Sequence, residues 1–183
     1  MTTEILLIGA YRVLGSLPVL RWPLAGGILA ILVDLGDLVL RDWMDAAGLG
    51  GLGDYQLFDK VADQVYLVLF LVVALRWTGV ERRVAIGLYL YRLAGFVLFS
   101  LTDERALLLV FPNVFEPWFL LVAALHHRRE PIRWTAPRLA LALAAVTAAK
   151  EVQEWVLHGA RLLDTYTIPS FFAAVWGWLT GSP

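Results

Sequence analysis

Cysteine is absent from the 183 residues. This excludes disulfides, thiolate metal centres, haem attachment through thioethers and a thiol nucleophile. Charge is scarce: Asp, Glu, Lys and Arg make up 17% of the chain, against about 25% in an ordinary soluble domain. The two signs almost cancel, with a formal net charge of −1. No basic field therefore exists to attract nucleic acid. No serine nucleophile motif, phosphate-cradling loop or dinucleotide fingerprint occurs, so no reaction class is directly indicated. No internal repeat, low-complexity tract or linker divides the sequence, and it reads as one domain, 1–183.

Apolar residues are abundant, at 60%, and mean hydropathy is +0.70. This composition excludes a disordered chain and points to an all-α integral membrane protein. A hydrocarbon core of about 30 Å needs about 20 helical residues. Segments meeting or approaching that length run over 3–20, 23–41, 56–77, 82–101, 105–126, 136–159 and, more briefly, 166–180. The expectation is a polytopic bundle of six to seven spans. Met1-Thr2-Thr3-Glu4 supplies no positive region before the first apolar stretch, so that stretch is read as part of the mature chain rather than a signal peptide. Trp22, Trp43, Trp77, Trp134 and Trp178 fall at or near the ends of apolar runs, as interfacial tryptophans do.

The links between segments alternate in sign. Arg21, then Arg76, Arg82 and Arg83, then Arg128, Arg129, Arg133 and Arg138 mark one set. Asp42, Asp45 and Asp54, then Asp103 and Glu104, then Asp164 mark the other. The positive-inside rule places the basic links in the cytoplasm and the N-terminus outside, in a bacterial-type plasma membrane. Seven spans leave the C-terminus inside; six with a re-entrant segment leave it outside.

Ionisable residues inside apolar spans are costly and point to function. Asp34, Asp37 and Arg41, followed by Asp45, occupy about one quarter of a helix circumference. Asp59, Asp63 and Tyr66 are spaced i, i+4, i+7 on one face, with Lys60 beside them. Arg92 sits mid-span as a counter-ion for an acid or a substrate contact. Pro112 and Pro117 predict a kink around Asn113 and Glu116. Lys150, Glu151, Glu154, His158 and Arg161 form a polar stripe within an arc of about 100°. The expected result is one acidic pocket open to the outer side, with roughly three negative charges unbalanced if all groups ionise. Protons, a metal ion or an amine are the candidate occupants.

Glu151, Glu154 and His158 have usable ligand spacing for a divalent metal, which Asp34, Asp37, Asp59 and Asp63 would complete. The alternative is a local Lys150–Glu154 ion pair with His158 at the interface. His126 and His127 read as solvated, and Gly9, Gly15, Gly26, Gly27, Gly87 and Gly95 as close-packing points between helices. Asp59-Lys60, with Glu151, Gln153, Arg161 and Asp164, resembles two short stretches of VanZ-like membrane proteins. Asp63 stands where those proteins have a histidine after the Asp-Lys pair, and no function is carried over.

The functional expectation is an enzyme acting on a lipid or lipid-linked head group. Glu154, His158 and Glu116 are its acid/base candidates. Lys60, Arg92, Asn113 and Lys150 would hold an anionic part of the substrate, and membrane lipids are the expected partners. A proton- or cation-coupled transporter or channel is the second reading, and an assembly subunit with purely structural ion pairs the third.

Overall fold

A computed structural model describes residues 3–46, 55–102, 104, 107, 110–128 and 133–154; within these, the side chains of 3–4, 38–39, 41–42, 45–46, 55–60 and 154 fall outside the description. The described chain is all-helical: α1 (Thr3–Ser16), a single 3-10 turn (Leu17–Leu20), α2 (Pro23–Ala46), α3 (Tyr55–Ala74), α4 (Gly79–Thr102), α5 (Phe115–His127) and α6 (Ala136–Glu154). The last apolar segment, 166–180, and the end of the one before it lie outside the described residues.

Proline sets the first boundary. Pro18 stands in the first two positions of the 3-10 turn, and its carbonyl accepts the N–H groups of Arg21 and Trp22 at 3.1 and 2.9 Å. Pro23 then opens α2, a position where its missing N–H costs nothing. Gly26 allows the sharp return. A Cβ there would lie 2.3–2.4 Å from the backbone of Pro18 and Val19, so only glycine lets α2 lie this close to the turn. Gly79, at φ 63°, makes the corresponding reversal into α4.

Helix α3 is central: α1, α2, α4 and α5 all pack on it. Its second half supplies Leu67, Phe70, Val73 and Ala74, and the turn after it supplies Trp77, to a core completed by Phe115, Trp118, Phe119 and Val122 of α5. Phe70 and Phe119 stack at 4.1 Å between ring centroids, and Trp77 stacks on the other side of Phe119 at 5.3 Å. Such aromatic layers fill the space between α3 and α5.

The expected bundle of six to seven spans is corrected by these elements. Among the described residues only α4, with a mean hydropathy of 1.8, is long and apolar enough to cross a membrane. The apolar segments at Ile5–Leu20 and Val61–Ala74 are shorter. Helix α2 contains Asp34 and Asp37, and α6 contains Arg138, Lys150, Glu151 and Glu154. The segment expected over 105–126 does not merely kink: the chain leaves the helix at 111–114 and restarts as the 13-residue α5. Pro112 has no N–H and disfavours helix at Phe111. Pro117 sits in the first turn of α5, where it is tolerated.

The carbonyls freed by this break are taken up by α4. Tyr91 Oη donates to Val110 O, and Arg92 Nη1 donates to Phe111 O at 2.9 Å. Gly95 lets the two chains touch, since a Cβ there would lie 2.2 Å from Phe111 Cβ. Gly15, Gly26, Gly27 and Gly95 are thus close-packing points as expected, whereas Gly9 and Gly87 face open space. The tryptophans divide as well. Trp22 and Trp43 are exposed, but Trp77 is buried in the aromatic core.

Candidate functional site

Arg12 on α1 is the centre of the first polar cluster. It is buried, and three carboxylates from two other helices surround its guanidinium. Nε donates to Asp37 Oδ2 at 2.5 Å, and Nη2 pairs with the same oxygen. Nη2 also lies 3.0 Å from Asp34 Oδ1, and Nη1 donates to Asp63 Oδ1 at 3.0 Å. The planar fork of Arg suits this multidentate use. Ser16 Oγ, one turn on, donates to Arg12 O at 2.6 Å. Asp34, with a side chain 26% exposed, is the most accessible of the three carboxylates; Asp37 and Asp63 are buried.

A second cluster adjoins the first through α3, where Tyr66 follows Asp63 by three residues. Tyr66 Oη donates to Glu116 Oε2 at 2.9 Å. Asn113 Nδ2 donates to the same oxygen at 3.0 Å and to Tyr66 Oη at 3.3 Å. Lys150 Nζ of α6 lies 3.6 Å from Glu116 Oε1 and donates to Gln153 Oε1 at 3.2 Å. The helix break at 111–114 makes this possible. It sets Asn113 ahead of α5 and Glu116 in its first turn, where a carboxylate is favoured by the helix dipole. Asn113 Oδ1 is buried with no hydrogen-bond partner among the described residues, so the cluster retains an acceptor beside Glu116. Asp63 and Tyr66, one turn apart on α3, set the two clusters side by side.

Helices α2, α3, α5 and α6, with the break ahead of α5, therefore bring together Asp34, Asp37, Asp63, Asn113, Glu116 and Lys150, all singled out from sequence. Arg92 does not join them. No carboxylate pairs with it among the described residues, and it serves the Phe111 carbonyl instead. Glu151 is exposed on α6. The side chains of Asp59, Lys60 and Glu154, and the whole of His158, lie outside the described residues. Lys150 reaches Glu116 across helices, a contact that the local Lys150–Glu154 pairing did not anticipate.

Of the residues expected to hold a metal, His158 and the side chains of Asp59 and Glu154 lie outside the described residues. Among the described residues no group of three or more His, Asp and Glu side chains is arranged to hold a metal ion. Asp34, Asp37 and Asp63 converge instead on Arg12, which provides the cation. Arg12 and Gln153 have no site role in the sequence reading, and Tyr66 appears there only as sharing a face with Asp59 and Asp63. Arg12 carried the same signal as Arg92: a lone arginine within an apolar run.

A third polar group lies at the basic end. Glu81, buried at the start of α4, accepts from Trp134 Nε1 at 2.7 Å and sits 2.7 Å from His126 Nε2. Its carbonyl accepts from Trp118 Nε1 at 3.4 Å. Arg76 Nη1 donates to Leu20 O at 3.1 Å. These contacts tie the three arginine-bearing links together at one end, so His126 is not simply solvated, and Trp134 turns inward. Between this end and the charged site stand the stacked rings of Phe70, Phe119 and Trp77.

Against known families, curated proteins and solved structures the chain has no match: no family model fits it, and no curated protein or solved structure is significantly similar.

Proposed function

We propose that the chain is an integral membrane protein whose buried charged site acts, from one side, on the polar head group of a lipid or lipid-linked molecule. Two features support the membrane part. Helix α4 is long and apolar, yet only 22% of its apolar stretch is buried, unlike the core helix of a globular domain. Large apolar side chains are also exposed on α1, α2, α3 and α6, among them Leu14, Leu32, Val68 and Leu141. A molecule with charge inside and apolar surface outside is suited to lipid rather than water.

The observation that carries the functional part is the aromatic floor. Among the described residues, polar groups run from Arg12 through Asp63 and Tyr66 to Glu116, and the stacked rings of Phe70 and Phe119 follow. A conduit for protons or cations needs polar groups or water to continue to the other end. A site closed below and served from one side is the arrangement of an enzyme or binding site. Within it, Glu116 is the acid/base group, with Tyr66 and Asn113 fixing one of its oxygens. Lys150 holds an anionic substrate group. Asp34, the most exposed of the three carboxylates, is the one that a substrate hydroxyl or ammonium meets first.

The test is head-group analysis of total lipids from cells making the chain or its Glu116→Gln variant at equal levels. The expected result is a change in one polar lipid or lipid-linked class that the variant does not produce. Purified protein in liposomes that carries a Glu116-dependent proton or cation flux, with lipids unchanged, would overturn the reading in favour of transport.

A further inference from the structure

We infer that the cleft at the basic end holds the anionic head group of a phospholipid; this rests on the membrane reading above and adds a second lipid site to it. The cleft encloses about 490 Å³ between the start of α2, the end of α3 and the end of α5. That volume is in the range of small-molecule sites, roughly 300–1,000 Å³. Arg21, His126 and His127 line it on the polar side, and Leu24, Ile28 and Ala123 on the apolar side. No carboxylate is among the described residues that line it. Glu81 takes up Nε2 of His126 and Nε1 of Trp134, so an anion in the cleft meets Arg21, His127 and the remaining ring edge of His126.

The apolar wall distinguishes a lipid from a soluble phosphate. Ile28 continues along α2 into Leu32 and Leu35, spaced i, i+4, i+7, and all three are exposed. They form an uncovered apolar track that starts in the cleft and leads away from its basic rim. Trp22, also exposed, stands at the junction, where an amphipathic indole belongs between head group and chain. A phosphodiester on Arg21 and the histidines, with an acyl chain along Ile28, Leu32 and Leu35, uses both surfaces at once. A free phosphate uses only the first. The cleft is also preformed: Arg76 fixes the Leu20 carbonyl beside it, and Glu81 fixes the His126 ring.

The experiment uses the full chain in detergent micelles doped with phospholipids brominated on the acyl chain, reading the tryptophan emission that Trp22→Phe removes. Phosphatidylglycerol should quench this component at a mole fraction several-fold lower than phosphatidylcholine. Arg21→Gln should reduce that preference about five-fold, the worth of one interfacial arginine. Arg83→Gln, with the same charge change outside the cleft, should leave it unaltered. Glycerol phosphate in solution should not relieve the quenching. Equal quenching by the two lipids, equal loss in both arginine variants, or displacement by glycerol phosphate would each overturn the assignment. Failure of the membrane reading is separately visible, because the chain would then stay dispersed and monomeric in buffer with no detergent.

Discussion

Arg12 and Asp63 stand 51 residues apart in the chain, yet Nη1 of one donates to Oδ1 of the other at 3.0 Å in a buried contact. This pair, extended to Asp34 and Asp37, joins α1, α2 and α3 through one guanidinium. Removing one partner of a buried ion cluster costs more than the cluster itself contributes, because the remaining charges keep their desolvation cost. Arg12→Leu should therefore destabilise the protein by about 3–5 kcal/mol, seen as a lower thermal midpoint in detergent. Adding Asp37→Asn and Asp63→Asn to that variant should recover much of the loss. A single variant that melts like the parent would show that the four groups do not act as a network.

The approach of α4 to the helix break gives a second prediction. Gly95 has Phe111 Cβ 2.2 Å from where its own Cβ would stand, whereas Gly87, two turns earlier on α4, has nothing within 4 Å. Gly95→Ala should cost about 1–3 kcal/mol through overpacking. Gly87→Ala should be neutral or stabilise by up to about 1 kcal/mol through helix propensity. Thermal midpoints of the two variants side by side decide the matter; equal behaviour would mean that α4 does not rest on Phe111.

The helices were largely legible because apolar runs and prolines are local signals. Pro23 marks the start of α2, and Pro112 marks the break ahead of α5. What could not be read was how each charge finds its partner. Arg41 is near Asp34 and Asp37 in sequence, but their contact with Arg12, 25 residues before Asp37, has no local signal. The requirement for a base was visible in the acidic excess, but contact across helices is not a periodic property. Span counting failed for a related reason. It treats each apolar run as a straight helix, and so passes over the 3-10 turn after Ser16 and the four-residue gap before Phe115. Glu81 carried no signal at all, because an acid beside Arg82 and Arg83 looks like part of a solvated link.

The exterior of α4 yields a third prediction. Leu90 is 55% exposed and Leu101 78% exposed on a helix whose mid-helix arginine, Arg92, donates to the Phe111 carbonyl. If lipid surrounds this face, Leu90→Arg near mid-helix should cost about 2.5–3.5 kcal/mol on insertion. The measurable result is loss of the chain from the membrane fraction. In water the same change at an exposed site would alter stability by no more than about 0.5 kcal/mol. Undiminished amounts of folded protein from the variant would argue that this face meets solvent.

Glu116 and Tyr66 separate a working site from a purely structural one. The pair is joined by a 2.9 Å hydrogen bond, and both also touch Asn113. Tyr66→Phe and Glu116→Gln should therefore be non-additive in stability, with a coupling of about 0.5–3 kcal/mol in a double-mutant cycle. Coupling alone does not establish function, since an assembly subunit with structural ion pairs would show it too. The distinction lies in Lys150, which is 3.6 Å from the other Glu116 oxygen. Lys150→Met removes the cation while keeping much of the apolar stem. For a head-group site it should abolish the lipid change while Tyr66→Phe only slows it, because a hydroxyl that orients Glu116 is less essential than the group that holds the substrate's anion. If both variants change thermal stability and neither changes the lipids of the cell, the clusters hold helices together and the site has no substrate.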